Sequence, residues 1–270
     1  MFRFFKIFQN LGTTILFVFL ECIALFLIIR FNKGQSEIFL HSSNEIISDF
    51  VKQQSRIKQS LDLKNQNDDL LYQNAQLIEE LVNEKIKTSR DTSEIEKKYD
   101  VIPATIINSS IHTLNNYMTL DKGRNDGLDK SMGVLGSEGV VGVINQISGK
   151  YATVISMLNV NLRVAASIAD KEYFGYLSWS GSDYLRFKLN GIPKHADIVI
   201  GDEVVTSGHS SIFPKGIKMG RIESYEIIRG GAFYDITVKS YQDLTQTSLV
   251  YVIKNNDFTE ISELESLNEN

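Results

Sequence analysis

GVVGVINQISGKYATVISMLNVNLRVAASI, residues 139–168, reads as a run of short strands. Short apolar and β-branched runs are cut by turn residues at intervals of about ten residues. Val140 to Ile147, Ala152 to Leu158 and Arg163 to Ala169 read as three successive strands, each too short for a helix of ordinary length. Gly136-Ser137-Glu138-Gly139 separates the first of them from the apolar pair Val134-Leu135. Strands of this length with regular turn signals form a sandwich or a barrel.

The same texture continues toward the C-terminus. Phe174 to Trp179 and Tyr184 to Leu189 form a hairpin around Ser180-Gly181-Ser182. In its second arm Leu185, Phe187 and Leu189 share one face, and Arg186 and Lys188 the other. Glu203 to Thr206, Met219 to Ile228, Phe233 to Lys239 and Leu249 to Ile253 follow as strands, with Gly230-Gly231 as a turn. About 150 residues of short strands fit two small antiparallel β-barrels better than one sheet. The expected domains are a first barrel over 101–171 and a second over 172–254, with the strands of 240–254 free to return to the first. The acidic stretch 255–270 is expected to be a disordered tail.

Toward the N-terminus the texture changes. Residues 35–98 contain no Pro and no Gly, and apolar residues recur at helical spacing. One heptad register puts Leu40, Ile47, Leu61, Ala75 and Val82 at a, and Phe50, Ile57, Leu71 and Ile78 at d. Gln54, Lys64, Asp68 and Lys85 interrupt that stripe, and a neighbouring register runs through Leu63, Leu70 and Leu77. A coiled coil over 36–100 forming a parallel homodimer is expected. The alternative is a single amphipathic helix folded back on the strands that follow. As a helix, sixty residues would reach up to roughly 90 Å.

Before it lies the run Leu11 to Ile29, which has no Lys or Arg and one carboxylate, Glu21. As a helix it would span roughly 28 Å, near the thickness of a bilayer core. Arg30, Phe31, Asn32 and Lys33 follow it where a signal peptide would carry a small-residue cleavage site. Residues 1–35 are therefore expected to be a short cytoplasmic N-terminus and an uncleaved transmembrane helix, with the rest of the chain on the far side. Glu21, costly at that depth, is a candidate contact with a membrane partner.

The fold class expected is thus mainly β with an N-terminal α part: transmembrane helix, coiled-coil helix, two barrels. Composition agrees with a folded protein, at 43% hydrophobic residues, and the net charge of −5 argues against nucleic acid as a partner. The single cysteine, Cys22, leaves no internal disulfide or thiolate metal cluster.

Three segments carry a family resemblance. GDEVVTSGHSSIFPKGIKMGRI, residues 201–222, resembles the signature of the MreC rod shape-determining proteins, with Gly201, Asp202, Thr206, Ser207, Gly208, Phe213, Pro214, Gly216 and Gly220 at its defined positions. YMTLDKGRNDGLDKSMGVL, residues 117–135, and residues 139–168 are similar to two further family patterns. The chain departs from them at His209-Ser210-Ser211 and at Asn159. The resemblance implies a bitopic inner-membrane protein whose bulk is periplasmic. It would be a non-catalytic scaffold of cell elongation that dimerises and can form filaments. Implied partners are an MreD-like membrane protein, an elongation-specific penicillin-binding transpeptidase and, indirectly, actin-like MreB. No cofactor, metal or catalytic residue is expected.

Family barrels look like those of chymotrypsin-type proteases, so Asp202, Ser207, Ser210, His112, His195 and His209 deserve weighing. Neither G-D-S-G-G nor G-x-S-x-G is present, and Thr206-Ser207-Gly208 reads as a turn. Tyr173, Phe174 and Tyr176 are candidate partner-binding aromatics. The rival reading is a periplasmic adaptor of an efflux or secretion system. Such an adaptor would need a second helical half after residue 100, and none is visible.

Overall fold

The computed structural model describes residues 2–31, 62–84, 97–227 and 230–268. It divides into two compact units, residues 1–67 and 68–270.

In the first unit, α1 runs without a break from Phe2 to Phe31. Its side chains are described over residues 12–28, and all of them, Glu21 included, are exposed. Among the described residues no helix is long and apolar enough to cross a membrane. Leu40, Ile47, Phe50, Ile57 and Leu61 lie outside the described residues.

The second unit is built on two closed six-stranded antiparallel barrels. The first contains β1 (Tyr99–Ser109), β2 (Asn115–Leu120), β3 (Gly133–Leu135), β4 (Val140–Ile147) and β5 (Ala152–Asn159). The second contains β6 (Arg163–Ile168), β7 (Phe174–Trp179), β8 (Arg186–Asn190), β9 (Glu203–Thr206), β10 (Lys218–Ile227) and β11 (Tyr234–Ser240). The last strand, β12 (Leu249–Asn255), returns to close the first barrel in the order β1-β12-β3-β4-β5-β2. It pairs with β1 from Tyr99↔Asn255 to Thr105↔Leu249.

Two sequence expectations need correction. The barrel boundary falls between β5 and β6, not at residue 171, because β6 pairs with β7 and β9. Ala166 and Ile168 of β6 fill the interior of the second barrel, so the buried face decides its membership. The tail is also not without structure: α3 spans Phe258–Asn268, and Asp257 accepts a backbone hydrogen bond from Ile261 in its first turn. β1 and β2 were not legible as strands, since YDVIPATIINS has polar residues and a proline where alternation should be.

Residues 62–84 form α2. Leu71, Ala75 and Val82 are buried in the chain's own apolar cluster, and Ile78 packs against it. The strands, not a partner helix, therefore take up these four positions of the expected seam. The physical reason lies on β1. Its first half pairs with β12 on one side only, because β2 joins it from Ile106 onward. Side chains complete the other edge. Asn83 donates to the Tyr99 carbonyl at 2.9 Å and accepts from the Tyr99 N–H at 3.1 Å. Glu79 accepts from the Val101 N–H at 3.0 Å and pairs with Lys97 at 2.7 Å. Pro103 has no N–H to leave unpaired, and Asp121 accepts from the Thr105 N–H at 2.7 Å. An edge that would otherwise template aggregation is closed by a helix end.

Tyr99 is buried under this clasp, and burial, aided by the Asp257 carboxylate, pushes its phenol up to about 12. Folding thus favours the neutral phenol. Its contribution, on the order of 2–3 kcal/mol, is intact below the ordinary tyrosine value near ~10 and is lost as pH rises through about 12. Tyr99 should ionise together with unfolding in an alkaline titration followed by phenolate absorbance. Tyr99→Phe should remove that late step.

Candidate functional site

The resemblance motif occupies β9, the loop after it and the start of β10. Its residues act as a clasp between the barrels. Thr206 is buried at the end of β9, and its hydroxyl donates to the Pro214 carbonyl at 2.6 Å while accepting from the Ile217 N–H at 2.9 Å. One hydroxyl therefore pins both ends of the 207–217 loop. Ser207 Oγ accepts from the His209 N–H at 3.2 Å. Gly216 lies at φ +88°, in the left-handed region open to glycine.

The pinned loop reaches across to the first barrel. Phe213 is buried there against Gly133 of β3, where an added Cβ would collide with its ring. Asn255 of β12 donates its side-chain amide to the Ser211 carbonyl at 2.7 Å. From the other direction, Gln242 of the second barrel's exit loop accepts from the Glu138 N–H at 2.9 Å and donates to Thr247 at 2.8 Å. The glycine-rich turn 136–139 lets these backbones approach. Gly201 and Asp202 open the motif as a turn. The Asp202 carboxylate accepts from the Val199 N–H at 2.9 Å and pairs with Lys171 at 2.7 Å, which holds the Lys171 ammonium above its usual range. Gly220 lies where β10 and β11 approach closely.

Two consequences bear on function. The candidate protease residues serve different partners: Asp202 holds Lys171, Ser207 holds backbone, and the His209 ring packs edge-on against Phe174 at 4.3 Å. His112 lies elsewhere, with its Nδ1 3.4 Å from the Tyr184 hydroxyl. Among the described residues no cluster of His, Cys, Asp or Glu could hold a metal ion. The candidate aromatics, by contrast, sit together. Phe174 and Tyr176 are on one face of β7, and Arg163 stacks over Tyr176 at 4.9 Å. Tyr173 is half-buried, with its hydroxyl 3.4 Å from the Asp197 N–H.

A second surface was only half visible in the sequence. On α2, Leu63, Leu70, Leu77 and Leu81 are all more than half exposed. In heptad terms the three at seven-residue spacing are d positions, and Asn67, Asn74 and Leu81 are the matching a positions. Leu at d with a polar Asn at a specifies a two-stranded parallel coil. The signal was the interrupting register, which the stronger-looking stripe concealed.

Comparison with known proteins agrees with this architecture. The family model described as "Rod shape-determining protein MreC, barrel core" matches residues 106–254. The cell shape-determining protein MreC of Listeria monocytogenes is 31% identical over 64% of this chain, which spans 59% of that protein's length. Its namesake in Bacillus subtilis is 26% identical over 75% of this chain and 71% of its own. A solved structure of the Listeria monocytogenes MreC superposes with a TM-score of 0.57 at 28% identity, covering 79% of this chain and 96% of that one. With a family model covering more than half of its length and both barrels in place, the chain belongs to the MreC family of rod shape-determining proteins.

Proposed function

We propose that this protein is a non-catalytic scaffold of cell elongation, anchored in the inner membrane, paired through α2, and presenting its two barrels to peptidoglycan-synthesis enzymes in the periplasm. The observation that carries the reading is the clasped barrel pair: the polar groups of the motif fix a loop whose Phe213 side chain and Ser211 carbonyl reach the first barrel. A rigid head of this kind suits activation by binding rather than by chemistry. The anchor we assign is the sequence run Leu11 to Ile29, which carries no Lys or Arg and one carboxylate, Glu21, the candidate contact with an MreD-like protein. The exposed leucines of α2 pair two copies. The Phe174–Tyr176 face is the candidate seat of a penicillin-binding transpeptidase, with MreB reached indirectly; an exposed Phe174 beside a half-buried Tyr176 and an arginine is favourable at interfaces. Family membership speaks against the efflux-adaptor reading.

Depletion of the protein is expected to turn rod-shaped cells round, and the full chain to restore them. Phe174→Ala/Tyr176→Ala should fold normally yet fail to restore rods and lose photo-crosslinking to the transpeptidase. Normal morphology on depletion would count against the role. A double variant that restores rods would remove the aromatic face from it.

A further inference from the structure

The two barrels differ in the charge of their strands. β2, β3, β4 and β5 of the first barrel contain no Asp, Glu, Lys or Arg. The strands of the second carry Arg186, Lys188, Glu203, Glu223 and Lys239 among others. On the first barrel charged residues return in the turns beyond these strands, such as Asp121 and Lys150.

Register lays a line of neutral hydrogen-bonding side chains across this uncharged face. Asn108 of β1 stands opposite Thr119 of β2, Thr119 opposite Thr153 of β5, and Thr153 opposite Gln146 of β4. All four are exposed or half-buried. At ordinary strand spacing the line is roughly 14 Å long. The Thr153 hydroxyl accepts from the Gln146 backbone N–H at 3.2 Å. The side chains of Asn108, Thr119 and Gln146 make no hydrogen bond among the described residues. A tyrosine lies on each side of the line. Tyr117, two residues from Thr119 and opposite Ile155, is 44% exposed. Tyr151, two residues before Thr153, is 50% exposed. Strand alternation puts both rings on the outer face, roughly 14 Å apart along the strands.

Two aromatic rings with unspent amides and hydroxyls between them fit an uncharged ligand that presents both apolar and polar surface. A pyranose strand has that chemistry: its C–H faces stack on rings, and its hydroxyl and acetamido groups exchange hydrogen bonds with neutral side chains. A protein partner fits less well. The dry centre of its interface would bury the polar line, and its aromatic anchors belong at the middle rather than at the two sides. We infer that this face of the first barrel binds a neutral polysaccharide strand. The glycan of the cell wall is the source, an assignment that rests on the proposed place among peptidoglycan-synthesis enzymes.

The test is calorimetric titration of the full chain, in a detergent without a sugar head group, with chitohexaose and with wall glycan strands stripped of their peptides. Both should bind saturably. Tyr117→Ala/Tyr151→Ala should weaken both about tenfold at an unchanged urea midpoint. Tyr117→Phe/Tyr151→Phe keeps the rings and should bind within about twofold of the unaltered chain. Thr119→Ala/Gln146→Ala should weaken binding roughly threefold. Phe174→Ala/Tyr176→Ala should bind sugar unchanged, so failure of the transpeptidase seat and failure of this site are told apart. No binding of chitohexaose would overturn the inference, as would equal binding by the double-alanine variant. Chitohexaose binding without binding of the stripped strands would overturn the assignment to the wall. A photo-crosslink from position 119 to a protein, with no saccharide bound, would make the face a protein interface instead.

Discussion

Phe213→Ala is expected to destabilise the barrel pair by about 3–5 kcal/mol, the range for deleting a buried aromatic side chain whose surroundings cannot collapse. Collapse is blocked here for a specific reason. The ring lies against Gly133, and no side chain on that residue can move in to fill the space. The loop bearing Phe213 is pinned by Thr206 at both ends and by Asn255 in between, so it cannot sink toward the first barrel without breaking those bonds. Phe213→Leu keeps most of the volume and should cost less, on the order of 1–2 kcal/mol. Urea unfolding followed by fluorescence of Trp179, the single tryptophan, checks both. Trp179 reports the second barrel, so a fluorescence transition that no longer coincides with the one followed by far-UV circular dichroism would show that the barrels have uncoupled. A loss below about 1 kcal/mol for the alanine variant would mean that Phe213 is not the wedge.

If two copies pair through α2 as proposed, Leu70→Asp/Leu77→Asp is expected to leave a monomer with the fold of each chain intact. Both side chains are exposed on the described chain, so the substitutions should change monomer stability by only a few tenths of a kcal/mol. In a two-stranded coil the same positions are d knobs, and two buried aspartates facing two others would be prohibitive. Sedimentation equilibrium of the full chain in detergent distinguishes the outcomes. The contrasting pair Leu71→Asp/Ala75→Asp should instead damage folding, because those residues belong to the chain's own buried cluster. Asn74→Leu should retain association but loosen the preference for two strands. A double-aspartate variant that stays dimeric would place the seam elsewhere on the chain.

These two experiments mark where reading the sequence succeeds and where it stops. Strands such as Val140–Ile147, Phe174–Trp179 and Glu203–Thr206 were legible because turn residues bracket short apolar runs, a local signal. β1 was not, because half of its edge is completed by Asn83, Glu79 and Asp121 from elsewhere in the chain, so its own residues need not alternate. The motif at residues 201–222 identified the family, yet its physical work was hidden. Nothing in GDEVVTSGHSSIFPKG states that Phe213 serves the other barrel.

Taken alone, the chain's residues determined the class of each segment: helix, then short strands, then an acidic end. Such choices follow from periodicity and turn chemistry, which act over a few neighbours. Only the folded structure decided that β12 closes the first barrel, that β6 belongs to the second, and that Leu71, Ala75 and Val82 face a sheet while Leu70 and Leu77 face outward. Two stripes about 100° apart on one helix are chemically alike. Which of them meets the protein depends on an open strand edge that forms only after residues far apart in the chain have come together.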